Sequence, residues 1–247
     1  MAVSDDLGRR PVLRVDPWIQ TQRTTGGMTT RVGFPTAGTG RDDERSRARS
    51  RELLARALGH DPDRAAWVRQ VHGTEVVRAG RGGMHGEADA LVSVDSSVVL
   101  LVSVADCAPV ALWDPRGGAF GIAHAGWRGT VAGVVESTVA ALTDLGAEPP
   151  RLRAWVGPRI GPRRFEVGPE VAERFDPSDV LPPDGDRRRR PHVDLGTAIA
   201  RRLVRCGLDT GRVRLSDDCT FERDDLYWSY RRDGGLCGRQ LAWIGRR

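Results

Sequence analysis

The chain has 247 residues, 39% hydrophobic and 29% charged, a composition that fits a soluble globular protein with enough length for one large domain. Its formal charge is +5 and its pI about 9.6, but every basic residue is Arg, with no Lys and no Asn in the sequence, and the arginines are interspersed with Asp and Glu. That reads as a coding bias rather than a phosphate-binding face, so no nucleic-acid partner is expected.

The N-terminal MAVSDDLGRRPVLRV lacks a basic-then-apolar leader, and residues 1–10 read as a loose tail. DDERSRARSRELLARALG (42–59) predicts a helix, with an acidic start, Leu53, Leu54 and Leu58 on one face and a glycine stop. AAWVRQV and EVVRA predict short strands split by His72 and Gly73, and GGMHGEADALVSV a loop entering a strand. SVVLLVSV, APVALW and AFGIAH read as short buried strands. The stretch 90–113 is interrupted by Asp95, Ser96, Ser97 and Asp106, which argues for strands and against a membrane span. GTVAGVVESTVAALTDLG (129–146) predicts one helix, and RLRAWVG (151–157) a strand. PRIGPRRFEVGPEV is a Pro/Gly-punctuated loop of the kind that presents functional side chains. PEVAERF and DLGTAIARRLVRCG predict helices, flanking the Pro/Gly/Asp-rich arginine run of 184–194; RVRLSDD, LYWSYRRD and RQLAWIG predict late strands. Strands outnumber helices without strict alternation, which favours α+β over a doubly wound sheet in a single domain spanning 1–247. Without such a leader, a cytoplasmic chain with no membrane partner is expected.

Cys107, Cys206, Cys219 and Cys237 form no C-x-x-C pair, and without a leader no structural disulfide is expected. His72, Cys107 and His124 each stand where a strand meets a turn. Two imidazoles and a thiolate are a donor set for catalytic zinc, which keeps three protein ligands and an open position. The spacing matches no local motif, and each residue has a plain alternative: a turn histidine, a small buried hydrophobe, a hydrogen-bonded core histidine.

QVHGTEVV, ADALVS, ADCAPVALWD, AHAGWRG, VGPRIGPRRFEVGPEV and YWSYRRDGGLCGR occur in the order found in the YfiH-type proteins, and the chain resembles that family over about 67–244. The family is also described as multicopper polyphenol oxidoreductase (laccase-like) or purine nucleoside phosphorylase-like, and includes the peptidoglycan editing factor. The resemblance implies that His72, Cys107 and His124 bind one zinc ion. It also implies a layered sandwich of mixed sheets with flanking helices, related to a deamidating toxin domain. The implied activities are phosphorolysis of adenosine, inosine, guanosine and methylthioadenosine, and adenosine deamination. The N-terminal TQRTTGGMTTRVGFPTAGTG departs from the family pattern, and Arg159, Arg163 and Arg164 follow the prolines where the family loop tends to carry Cys.

Around the three ligands, Arg128 precedes a helix, where a guanidinium suits phosphate or carboxylate; the alternative is an ion pair with Asp106 or Asp114. Asp106, next to Cys107, is a candidate catalytic residue that could orient a ligand histidine. Glu166 and Asp89 are candidate proton shuttles or loop-fixing acceptors. Trp127, Arg159 and Arg23 are candidate substrate contacts, the last two in segments expected to border one pocket. His85 reads as a lid or an exposed turn, and His60 and His192 as turn residues. Two further readings stay open: a cysteine hydrolase with Cys107 as nucleophile, and a diverged cell-wall quality-control protein. Copper-dependent phenol oxidation ranks last, because separate His-rich clusters are missing.

Overall fold

The computed structural model describes residues 12–21, 23–32, 34, 44–183, 189–235 and 237–246. The expected tail at 1–10, the first two residues of the predicted 42–59 helix and part of the arginine run lie outside them. The strands are β1 Leu13–Arg14, β2 Thr24–Thr29, β3 Ala65–Arg69, β4 Val76–Arg78, β5 Gly83–Glu87, β6 Ala90–Ser93, β7 Val99–Val104, β8 Ala108–Trp113, β9 Phe120–Ala125, β10 Arg153–Val156, β11 Val180–Leu181, β12 His192–Val193, β13 Val213–Leu215 and β14 Gln240–Arg246. The helices are α1 Glu44–Leu58, α2 Trp127–Ala132, α3 Val134–Asp144, α4 Pro169–Ala172 and α5 Leu195–Arg205.

Two six-stranded mixed sheets form, ordered β1-β2-β14-β7-β3-β5 and β13-β10-β8-β9-β6-β4, with β11 and β12 pairing separately. Their inner faces pack on each other: Met28, Leu100, Val102 and Ile244 of the first sheet meet Leu91, Trp113, Phe120, Ile122 and Trp155 of the second. The outer face of the second sheet, with Val92, Val110, Leu112 and Ala123, is covered by Val135, Val139 and Leu142 of α3 and Ala198, Ile199 and Leu203 of α5. Leu54 of α1 covers Val99, Leu101 and Trp243 on the outer face of the first sheet. The result is an α+β sandwich of four layers. β7 and β8 are buried almost throughout because both faces of their sheets are covered, which is why their sequences run apolar without alternation.

Three local expectations change. The helix predicted over 129–146 is two helices, because Gly133 takes φ 105° and caps α2 before α3 begins. LYWSYRRD is a series of turns, not a strand, and its polar groups serve the site described below. GGMHGE, expected as loop, is edge strand β5 on β3, admitted by glycines at φ 100° and 85°.

Candidate metal centre

The chain changes sheets at one end of the sandwich, and the site is built from those crossings. β3 ends at Arg69 and the chain crosses through His72 to β4 in the opposite sheet. β7 gives way to β8 across Ala105, Asp106 and Cys107, again passing between sheets. His124 lies near the end of β9, opposite Pro109 of β8. Among the described residues, the non-glycine residues with positive φ are His72 (60°) and Asp106 (81°), one in each crossing. Such a backbone persists only where its surroundings over-determine it, and it clusters at functional sites. Gln70 ties the crossings together, donating to the Ser103 carbonyl at 2.8 Å and accepting the Ser103 N–H at 2.7 Å.

The ligand atoms of His72, Cys107 and His124 all lie within 4.8 Å of one another. The two rings meet edge to face with centroids 4.8 Å apart. His124 is buried, Cys107 half-buried and His72 exposed, so the group opens to solvent on one side. Gly126 supplies the room: a Cβ there would lie 2.9 Å from Cys107 Sγ and 3.0 Å from His72 Nδ1. A thiolate, two imidazoles and an open side fit a metal ion, and zinc or copper accepts such donors.

Asp89, fully buried, joins two of the three positions. Its carboxylate accepts Nδ1–H of His124 at 2.8 Å, which leaves Nε2 of His124 to face the cluster. The same carboxylate accepts the backbone N–H groups of Val71, His72 and Gly73 at 3.1, 3.0 and 2.6 Å. Burial pushes the Asp89 pKa up, but the bonds from His124, Gly73 and Val71 hold it below the ordinary carboxylate value. Burial disfavours the charge on His124; the Cys107 sulfur and Asp89 outweigh it and lift the His124 pKa to about 9. Burial lowers the pKa of His72, assisted by the charges of His124, Arg128 and Arg239 and opposed by Asp89. Asp89 thus takes the orienting part expected of Asp106, and with its acceptor positions filled it is a loop-fixing acceptor, not a proton shuttle. The signal lay in the strand pairing: Ala90 of β6 pairs with Ala123 of β9, which sets Asp89 beside His124.

Asp106 contacts neither histidine. Its carboxylate accepts from Thr220 Oγ1, Ser229 Oγ and the Arg231 N–H at 2.6, 3.0 and 2.7 Å. Its carbonyl accepts the Ile160 N–H at 3.0 Å, which brings the Pro/Gly-punctuated loop to this end of the sandwich. Arg128 is exposed and lies over the Trp127 ring at 4.5 Å. Neither acid suggested as its partner takes it: Asp114 pairs with Arg151. Trp127 is half-buried against the core. Glu166 is exposed, with its carbonyl accepting from Arg231 at 2.8 Å and its carboxylate 4.0 Å from His192 Nε2.

Arg159 and Arg23, expected in segments that border one pocket, have separate surroundings. Arg159 is buried, donates to the carbonyls of Gly157 and Ser216 at 3.3 and 3.1 Å, and lies so close to Gly196 that a Cβ there would collide with the guanidinium. Burial lowers its pKa, and its guanidinium braces α5. Arg23 precedes Thr24, which pairs with Arg246 at the β14 end remote from Gln240, while Gln240 pairs with Val104 on the Cys107 side. Arg23 lines a cleft with Asp114, Gly118 and Phe120, at the opposite end of β9 from His124. His85 lies in β5, and its ring bonds the Arg81 carbonyl at 2.9 Å. His192 is buried and bonds the Pro162 carbonyl at 2.8 Å; His60 meets Arg64 at 3.1 Å. Cys206, Cys219 and Cys237 are free thiols outside the cluster. No described helix is long and apolar enough to cross a membrane.

The family model described as multi-copper polyphenol oxidoreductase laccase matches residues 18–247. A relative from Escherichia coli named purine nucleoside phosphorylase YfiH is 37% identical over 76% of this chain and 76% of its own length. The chain belongs to the YfiH-type family. Another relative of this YfiH-type chain, from Deinococcus radiodurans, is named purine nucleoside phosphorylase and is 41% identical over 88% of this chain and 87% of that one. The crystal structure of YlmD from Geobacillus stearothermophilus superimposes with TM-score 0.84 at 29% identity, covering 94% of each chain. The YfiH structure from Bacillus licheniformis gives 0.83 at 26% identity, covering 91% of this chain and 93% of that one.

Proposed function

We propose that this YfiH-type protein is a zinc-dependent purine nucleoside enzyme that cleaves adenosine, inosine, guanosine and methylthioadenosine with phosphate and deaminates adenosine. The observation that carries the reading is the convergence of His72, Cys107 and His124 with Asp89 fixing the tautomer of His124. The names of the relatives from Deinococcus radiodurans and Escherichia coli support the substrate class. His72, Cys107 and His124 would hold the zinc, which would supply Lewis acidity there.

The protein's own groups do the rest. Asp89 keeps His124 Nδ1 protonated and its ring aimed. Arg128, exposed beside His72, holds the phosphate anion. Trp127 offers its ring to the purine, and Glu166, an exposed acid, is the carboxylate for proton transfer. In phosphorolysis a phosphate oxygen bonds to ribose C1′ as the bond from C1′ to the purine nitrogen breaks, and the departing purine takes a proton. In deamination water adds at the purine C6 and ammonia leaves.

A second reading is a cysteine hydrolase with Cys107 as nucleophile and His124 as its acid–base partner. The elevated pKa of His124 beside the Cys107 sulfur favours it. A metal-bound thiolate is not a free nucleophile, so the metal content of the purified protein separates the readings. The test is a nucleoside panel assayed with and without phosphate, beside metal analysis. Phosphate-dependent release of purine by zinc-loaded protein supports the proposal; zinc-free protein with rapidly alkylated Cys107 supports the hydrolase.

A further inference from the structure

We propose that Asp106 is a positioning residue that sets the placement of Cys107, and through it the affinity of the metal centre, by pinning the β7–β8 crossing to the 220–231 segment. The inference rests on the metal reading of His72, Cys107 and His124. Asp106 turns the chain between the two sheets with φ 81°, immediately before Cys107. An L-residue rarely holds that conformation unless neighbouring groups enforce it. Here they do: the hydroxyls of Thr220 and Ser229, both fully buried, and the Arg231 N–H converge on its carboxylate. The Ile160 N–H holds the carbonyl of the same residue. A corner clamped at the carboxylate and at the carbonyl leaves the next residue little freedom, and that residue presents the sulfur. The turn-rich LYWSYRRD stretch thereby gains a purpose that a strand could not serve: it delivers a hydroxyl and a backbone donor to one carboxylate.

The test uses the full-length protein and Zn²⁺ alone. Asp106→Gly keeps the backbone freedom at φ 81° and removes the carboxylate, and is expected to weaken zinc binding by roughly ten- to hundredfold in chelator competition, the usual effect of removing a group behind a ligand. Asp106→Asn, which tolerates the same backbone and still accepts from a hydroxyl, is expected to recover part of that loss. Should Asp106→Gly fail to fold, Thr220→Val with Ser229→Ala removes the donors instead and is expected to weaken binding in the same direction. Asp114→Asn is the control: Asp114 is equally buried, accepts from the Arg116 N–H and from Arg151, and stands at the other end of β8. It is expected to lower stability and leave zinc affinity unchanged. In metal-free protein, Asp106→Gly is also expected to change the rate at which iodoacetamide alkylates Cys107. Unchanged zinc affinity and unchanged Cys107 alkylation in Asp106→Gly overturn the proposal, as does an equal loss of zinc in Asp114→Asn. Wild-type protein that takes no zinc while Asp106→Gly still shifts Cys107 alkylation overturns the metal reading and leaves the positioning role standing.

Discussion

The Asp89 carboxylate receives Nδ1–H of His124 at 2.8 Å while it holds the backbone of His72 at 3.0 Å, so one buried acid sets the geometry of two candidate ligands from opposite ends of the β3-to-β9 stretch. Removing it has two separable effects. Asp89→Asn keeps the size but cannot accept all four donors, and metal affinity is expected to fall roughly ten- to hundredfold. Asp89→Ala also leaves the N–H groups of the 71–73 turn unpaired, with an expected stability loss of about 2–4 kcal/mol. Urea unfolding and chelator competition on both variants read the two effects independently.

Gly126 gives a sharper separation. Its φ of −73° and ψ of 170° suit any residue, so Gly126→Ala imposes no backbone strain. The added methyl would instead stand 2.9 Å from Cys107 Sγ and 3.0 Å from His72 Nδ1. Loss of metal and of nucleoside cleavage is expected, with an unfolding midpoint in the metal-free state close to wild type. Undiminished zinc binding in this variant would mean that the metal sits elsewhere.

The pH dependence has a defined sign. His124 has its pKa raised from 6.5 to about 9 in the folded, metal-free chain. Protonation of His124 therefore stabilises the metal-free fold fully below about 6.5, and that contribution disappears as the pH rises through about 9. Metal must displace a proton from this ring, so apparent zinc affinity is expected to climb with pH across the same window. Thermal unfolding of metal-free protein between pH 6 and 10, with and without His124→Gln, checks the first; zinc titrations across that range check the second.

Arg128→Ala probes the anion. Only phosphorolysis must hold phosphate, and losing one charge-assisted bond of ~1.5–3 kcal/mol slows it roughly ten- to hundredfold. Deamination is expected to change much less. Equal losses in both assays would assign Arg128 to substrate orientation or to its packing on Trp127.

The order of buried strands was legible because SVVLLVSV, APVALW and AFGIAH are apolar, β-branched and short, and the three candidate ligands stood out as metal-capable side chains near strand ends. What was illegible is non-local. The part played by Asp89 depends on β6 pairing antiparallel with β9, a register that no local pattern in EADAL announces. Asp106 looked like a partner for a ligand histidine from adjacency alone, but φ 81° turns its carboxylate to Thr220 and Ser229. Arg23 was placed at the site because its polar, glycine-containing segment holds the position of the family's N-terminal motif, yet it is the Thr29 end of β2 that approaches the site side, bonding the Leu241 N–H, while Arg23 precedes the other end. The helix break at Gly133 was written in the sequence as a glycine, but the valines at helical spacing on either side masked it. Gly133→Ala is accordingly expected to cost about 1–3 kcal/mol through φ, since a Cβ there would meet only the Glu136 carboxylate, at an ordinary contact distance of 3.7 Å.

The most direct test is the metal itself, located by anomalous diffraction at the zinc edge on protein purified without added metal. One zinc per chain is expected, lying between His124 Nε2, Cys107 Sγ and His72, with Zn–N about 2.0–2.1 Å and Zn–S about 2.3 Å. A crystal without metal at these residues, or with the anomalous signal of copper in place of zinc, would contradict the zinc-dependent reading.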